Sequence, residues 1–224
     1  MGTLCSKADE YEESVPLPKP KTITKKLRFD GKVAIITGGG GGLGRSYATF
    51  LASRGCKIVI NDPGTNPYGE GGVSQKLADQ VVNEIIAAGG EAIANYDGAE
   101  DGANIVKTAI DTFGTVDILI HSAGILRDNN IQDMTENDWD MVMKVHCKSV
   151  FTVTNAAWPI MEKKKFGRII VSSSPCGIYG DATRSNYSTA KLGLWAFSKS
   201  MAIAGDAHNI KCNAIAPLAG TRMT

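Results

Sequence analysis

Thr37-Gly38-Gly39-Gly40-Gly41-Gly42-Leu43-Gly44 is the stretch whose reading decides the fold. It follows Lys32-Val33-Ala34-Ile35-Ile36, a short apolar run of the kind that makes a buried strand, and it opens a helical pattern that continues through about Ser53. Glycines at such a junction permit a tight turn. They also let backbone N–H groups at the helix N-terminus approach a pyrophosphate. A glycine run alone is a weak signal, because many loops are glycine-rich; its place between a strand and a helix makes it strong. Strand two then ends at Asp62, about twenty residues on, where a carboxylate accepts from both ribose hydroxyls and repels a 2′-phosphate. No Lys or Arg stands within residues 38–44 or just after Asp62. The pattern predicts NAD rather than NADP, held by Gly38, Gly42, Leu43, Gly44 and Asp62. The alternative for Asp62 is a loop cap before Pro63.

Working outward, short apolar strands alternate with helices along the whole chain from Gly31. Strands are predicted at 32–36, 57–61, 91–95, 116–120, 168–172 and 210–215. Helices are predicted to about Ser53, over roughly 73–88 after a Gly/Pro-rich loop, and near 101–113. A longer helical stretch covers 135–164, bent near its middle, and another runs to about Ala204. Such alternation argues an α/β fold: a Rossmann-like doubly wound parallel sheet with helices on both faces. Residues 28–224 read as one dinucleotide-binding domain and residues 1–27 as a flexible extension carrying Pro16, Pro18 and Pro20.

Composition sets mild bounds. A chain of 224 residues suits one domain with a substantial core. A formal net charge of +1 gives no basic footprint for nucleic acid. The five cysteines (Cys5, Cys56, Cys147, Cys176, Cys212) show neither paired nor metal-like spacing and read as reduced thiols. No apolar run approaches the length of a membrane span. At the N-terminus, Met1-Gly2-Thr3-Leu4-Cys5-Ser6 matches the myristoylation pattern, and Cys5 offers a second acylation point. Two such chains would anchor the protein to a membrane face where one would bind only marginally. The alternative is a coincidental start on a disordered tail.

The chemistry is carried by Tyr187-Ser188-Thr189-Ala190-Lys191, with Ser174 thirteen residues upstream. On a helix, positions i and i+4 share a face, so Lys191 sits beside Tyr187. A neighbouring ammonium favours the phenolate and is expected to lower the phenol from its free value of about 10. That makes Tyr187 a proton donor and acceptor near neutral pH, with Ser174 hydrogen-bonding the same substrate oxygen.

Thr37-Gly-x-x-x-Gly-x-Gly44, the pair Ala123-Gly124 after strand four, and Ser174, Tyr187 and Lys191 together resemble the short-chain dehydrogenase/reductase family, from about Leu27 to the last residue. Flanking words such as Asn61-Asp62-Pro63-Gly64, Gly177-Ile-Tyr-Gly180 and Ala190-Lys-Leu-Gly-Leu194 bring it nearest to the peroxisomal (3R)-hydroxyacyl-CoA dehydrogenase subgroup. The resemblance implies that Tyr187 transfers the substrate proton while nicotinamide exchanges hydride. Lys191 would hold the nicotinamide ribose, and Ser174 would stabilise charge on the carbonyl oxygen. It also implies that Asp97 and Gly98 contact adenine, that Ala123 and Gly124 back the cofactor, and that Pro217 and Gly220 shape the loop against the nicotinamide. Its expected substrate is an acyl-CoA, with hydroxysteroids and 3-oxoacyl carriers as alternatives. The family pattern implies a homodimer if the C-terminal segment beyond strand six is present, and the residue spacing suggests no metal. A rival reading from another class is a non-catalytic, membrane-tethered NAD-binding module.

Three departures from the family pattern stand out. His121-Ser122 replaces the usual Asn-Asn before Ala123-Gly124. His146 stands where many members carry an asparagine in a water-linked proton relay, and it reads either as part of that relay or as a core histidine. His121 and His208 read as structural. Finally, the family continues past strand six through a substrate lid and a seventh strand, which these 224 residues do not include.

Overall fold

A computed structural model describes residues 27–219. Six strands make one sheet: β1 (Val33–Thr37), β2 (Lys57–Asn61), β3 (Ala92–Asn95), β4 (Ile118–His121), β5 (Gly167–Ser172) and β6 (Ile210–Ile215). Their spatial order is β3-β2-β1-β4-β5-β6, with every neighbouring pair parallel. All five residues of β1 are buried, as expected of a central strand covered on both faces. Because side chains alternate along a strand, each strand feeds two cores. Ile35, Leu119 and Ile169 face α3 (Gly102–Phe113), α5 (Ser149–Lys164) and α7 (Ser185–Gly205) through Ile105, Val153, Met161 and Leu194. Ile36, Ile58 and Ile60 face α1 (Gly42–Ala52) and α2 (Lys76–Ala87) through Ala48, Leu51, Val81 and Ile85.

The doubly wound sheet expected from the sequence is therefore present. The chain reverses its direction of growth between β1 and β4, and in such sheets ligands bind beyond the carboxyl ends of the strands at that switch point.

Three local features differ from expectation. The helix expected from residue 73 begins at Lys76, because Ser74 N donates to the Pro63 carbonyl and so belongs to the preceding loop. The bend expected in the 135–164 stretch is a π-helical segment, Lys144–Lys148, between α4 (Glu136–Met143) and α5. The start of α4 is fixed by a capping box: Thr135 Oγ1 accepts from Asp138 N, and Asp138 Oδ2 accepts from Thr135 N. A short helix, α6 (Pro175–Tyr179), was not anticipated; Ser174 caps it by accepting from Cys176 N.

At the opposite end of the sheet from the cavity described below, Asp117 is fully buried and holds three strands together. Its Oδ2 accepts from Val33 N at 3.0 Å and its Oδ1 accepts from Lys164 Nζ at 2.5 Å. Its backbone bonds to both Val33 and Arg168.

Candidate active site

The carboxyl ends of all six strands open onto one cavity of about 580 Å³. The β1–α1 turn supplies its phosphate-like cradle. Gly38 is left-handed (φ 64°), and a Cβ there would lie 2.7 Å from the Ala123 Cα. A Cβ on Gly44 would lie 2.1 Å from the Gly38 carbonyl oxygen. Only glycines close this turn. Gly38, Gly42 and Leu43 line the cavity, whereas Gly44 sits behind them as a packing residue. The first turn of α1 has neither a side-chain cap nor an acidic residue, so its N–H groups face the cavity with their partial positive charge free for an anion. The residues present fit a dinucleotide.

Asp62 lines the cavity at the end of β2. Its Oδ2 accepts from Gly40 N at 2.9 Å and its Oδ1 from Gly64 N at 2.8 Å, so the carboxylate is oriented by backbone on both sides. Arg45, the first cation after the glycine turn, is turned outward to Glu84 on α2 in a two-bond pair. The cations on the cavity wall are engaged elsewhere. Lys144 pairs with Glu100, Arg184 with Asp128, and Lys191 with a backbone carbonyl.

Ser174, Tyr187 and Lys191 meet on the same wall. Strand β5 delivers Ser172-Ser173-Ser174, and α7 delivers Tyr187 and Lys191 one turn apart. Lys191 Nζ donates to the Ser172 carbonyl at 2.6 Å, and Ser173 Oγ donates to the Lys191 carbonyl at 2.7 Å, so strand and helix are stitched at the site. Lys191 Nζ lies 5.3 Å from the Tyr187 ring centroid.

The ionisation pattern corrects the sequence argument. Burial pushes the Tyr187 phenol up from its ordinary value, with Ser174 as the main opposing hydrogen-bond influence. The expected lowering by Lys191 does not prevail, because desolvation of both groups dominates and the ammonium is directed at the Ser172 carbonyl. Lys191 itself, fully buried, is brought down to about 8.

A stability effect follows from that shift. Between about 8 and the ordinary lysine value of 10.5, the unfolded chain holds a proton that the folded chain lacks. The penalty for burying the ammonium is therefore complete below about 8 and fades as pH rises through that window. Comparing urea midpoints of the parent and Lys191→Met across the window is expected to show the gap moving in the parent's favour with rising pH. A constant gap contradicts the buried charge.

The other expected residues divide. Gly98, Ala123, Gly124, His146 and Pro217 line the cavity. Ala123 N donates to Thr37 Oγ1, which ties the β4 turn to the glycine turn. Asp97 stands next to the cavity-lining Gly98 at the end of β3, and its Oδ2 accepts from Asn95 Nδ2 at 2.7 Å. Asn61 Nδ2 donates in turn to Asn95 Oδ1 and to the Asp97 carbonyl, which joins the three residues in one network at the β2–β3 edge. His121 is buried against Thr154 and held neutral at about 3, away from the cavity; His208 pairs with Glu162 at the surface. Gly220 and the acylation motif around Gly2 and Cys5 lie outside the described residues.

Several cavity residues, and one residue buried behind the wall, escaped the sequence reading. Asn66, Pro67 and Val73 come from the loop after Asp62, which folds back so that Leu126 N donates to the Pro67 carbonyl. The glycine density and Asn66-Pro67 marked a loop but not its direction. Asn186, fully buried, donates to the carbonyls of Arg127 and Asp138 and sets the start of α7. Its place beside Tyr187 was the available signal.

This geometry is that of a known class. The chain belongs to the short chain dehydrogenase family, a family of oxidoreductase enzymes; the family's model matches residues 32–224. Among individual relatives, it is 52% identical over 198 residues to the peroxisomal multifunctional enzyme A of Dictyostelium discoideum, covering 88% of this chain and 45% of that protein. It is 50% identical over 202 residues to the peroxisomal hydratase-dehydrogenase-epimerase of Neurospora crassa, covering 90% of this chain and 22% of that one. The solved full-length peroxisomal multifunctional enzyme type 2 of Drosophila melanogaster matches with a TM-score of 0.73 and 42% identity, over 87% of this chain and 32% of its own. The chain thus spans less than half the length of these relatives.

Proposed function

We propose that this chain transfers hydride between NAD and a (3R)-3-hydroxyacyl-CoA/3-oxoacyl-CoA pair in peroxisomal fatty-acid β-oxidation. The observation that carries this reading is the meeting of Ser174, Tyr187 and Lys191 with a glycine cradle and Asp62 around one cavity. The multifunctional peroxisomal relatives, one of them named a hydratase-dehydrogenase-epimerase, support the dehydrogenase activity and the compartment, and the flanking words noted above support the substrate class.

Bound NAD supplies the nicotinamide acceptor for the hydrogen leaving the substrate carbon. The chain's own residues do the rest. Tyr187 exchanges the proton of the substrate oxygen: as phenol it donates in the reductive direction, and as phenolate it accepts in the oxidative one. Ser174 donates to the same oxygen as charge develops there. Lys191 holds the Ser172 carbonyl and offers its remaining protons to the cofactor ribose. Asp62, with both oxygens already oriented by backbone, accepts from ribose hydroxyls and disfavours a 2′-phosphate.

NADH formation with a panel of 3-hydroxyacyl-CoA and hydroxysteroid substrates tests the substrate; a clear steroid preference would reassign it. Asp62→Asn tests the cofactor assignment. Loss of a charged hydrogen-bond acceptor is expected to lower kcat/KM for NAD by about 10- to 100-fold while improving NADP relative to NAD. A parent enzyme that prefers NADP contradicts the role of Asp62.

A further inference from the structure

His146 lies in the π-helical segment between α4 and α5. Such turns are frequent at functional sites because they redirect one side chain out of the helical register. The imidazole is 1% exposed, yet it forms part of the cavity wall. On one side its Nε2 lies 2.9 Å from the carbonyl oxygen and 3.1 Å from the nitrogen of Ile125; it donates to the first or accepts from the second according to tautomer. On the other side its ring meets Tyr187 edge-on, with centroids 5.3 Å apart and planes at 90°. Between them, a Cβ on Gly124 would lie 2.5 Å from His146 Cε1. The imidazole therefore fills the space between the Gly124–Ile125 turn and the phenol, and Gly124 is small because the ring is there. Burial, reinforced by Lys191, holds the ring neutral at about 3, and Nδ1 has no partner among the described residues.

We infer that His146 is a positioning residue: its ring fixes the Tyr187 phenol relative to the Ala123–Gly124 wall of the dinucleotide cavity. The inference rests on Tyr187 being the proton-transfer group. Edge-to-face packing is the favoured geometry for the ring pair, and a displacement of the phenol by about 1 Å is enough to cost about 100-fold in rate.

The test is a mutant cycle in kcat, with NADH affinity followed by fluorescence and folding by thermal unfolding. His146→Asn and Gly124→Ala are each expected to lower kcat by about 10-fold or more, the first with NADH affinity kept within about threefold. Removing the ring makes room for the new methyl, so the double variant is expected to be no slower than the slower single. His146→Phe, which keeps the ring edge and loses the nitrogens, is expected to recover most of the kcat lost in His146→Asn. Losses that multiply in the double variant overturn the inference. So does His146→Asn with parental kcat, or His146→Phe at least as slow as His146→Asn. A second readout needs no turnover: the titration of Tyr187 by 13C-tyrosine NMR, assigned by its absence in Tyr187→Phe. Water entering beside the phenol is expected to lower its pKa in His146→Asn, and an unchanged titration contradicts the contact. Should the parent oxidise no substrate, the reading of Tyr187 fails, while the NMR comparison still decides the ring contact.

Discussion

Tyr187→Phe is expected to lower kcat by about 10²- to 10⁴-fold, the range that a positioned general acid or base contributes, with NADH affinity nearly unchanged. The substitution deletes one oxygen and nothing else. The ring keeps its edge contact with His146 and its place under the Lys191 ammonium. The backbone bond from Tyr187 N to Asn186 Oδ1 also survives, so the start of α7 stays where Asn186 puts it. None of the hydrogen bonds that orient Asp62 or tie Ala123 to the glycine turn involves the phenol hydroxyl. Steady-state rates and a fluorescence titration with NADH, made on the same preparation, separate the two effects. Retained turnover would remove Tyr187 from the chemistry. Lost NADH binding would show that the substitution disturbed the cavity.

Asp117→Ala is expected to act on stability alone, at about 3 kcal/mol, the lower end of the range for breaking a buried ion pair. The low end applies because Lys32 and Lys164 are each about a third exposed and regain water when the carboxylate goes, whereas Asp117 itself is fully buried. Two costs remain. Val33 N, at the head of the central strand, loses its acceptor, and a cavity opens between β1, β4 and β5. Because a domain of this size is stable by only about 5–15 kcal/mol, the change is expected to show clearly as a lowered urea midpoint. Asp117 lies at the amino ends of the strands and the cavity at the carboxyl ends, so kcat per folded molecule is expected to stay at the parental value. A fall in kcat with unchanged stability would mean that the two ends of the sheet are coupled.

The fold was legible because its signals are local. The apolar runs of β1 and β2, the glycine turn and the alternation of strand and helix each fall within about ten residues, and parallel topology then follows from short-range chirality. Six strands were anticipated within one or two residues of where they lie. The cavity residues Ser174, Tyr187, Lys191, Gly38 and Asp62 were legible for the same reason, since each occupies a fixed place on a strand end or helix face.

What sequence reading misjudged depends on burial and long-range contact. The spacing of Tyr187 and Lys191 is visible, but the desolvation that raises the one and lowers the other is not. Nor does the sequence show that Asn95 holds one oxygen of Asp97 in a network spanning β2 and β3. The π segment at Lys144–Lys148 has no composition cue; its contacts include α7 and, through His146, Ile125 after β4, both distant in sequence.

The most direct measurement is NAD-dependent oxidation of stereochemically pure (3R)- and (3S)-3-hydroxyacyl-CoA by the complete protein, followed by NADH absorbance. Turnover of the (3R) alcohol with NAD, well above that of the (3S) alcohol and absent in Tyr187→Phe, is the predicted result. No turnover of either alcohol by the folded protein, or equal turnover in Tyr187→Phe, would contradict it.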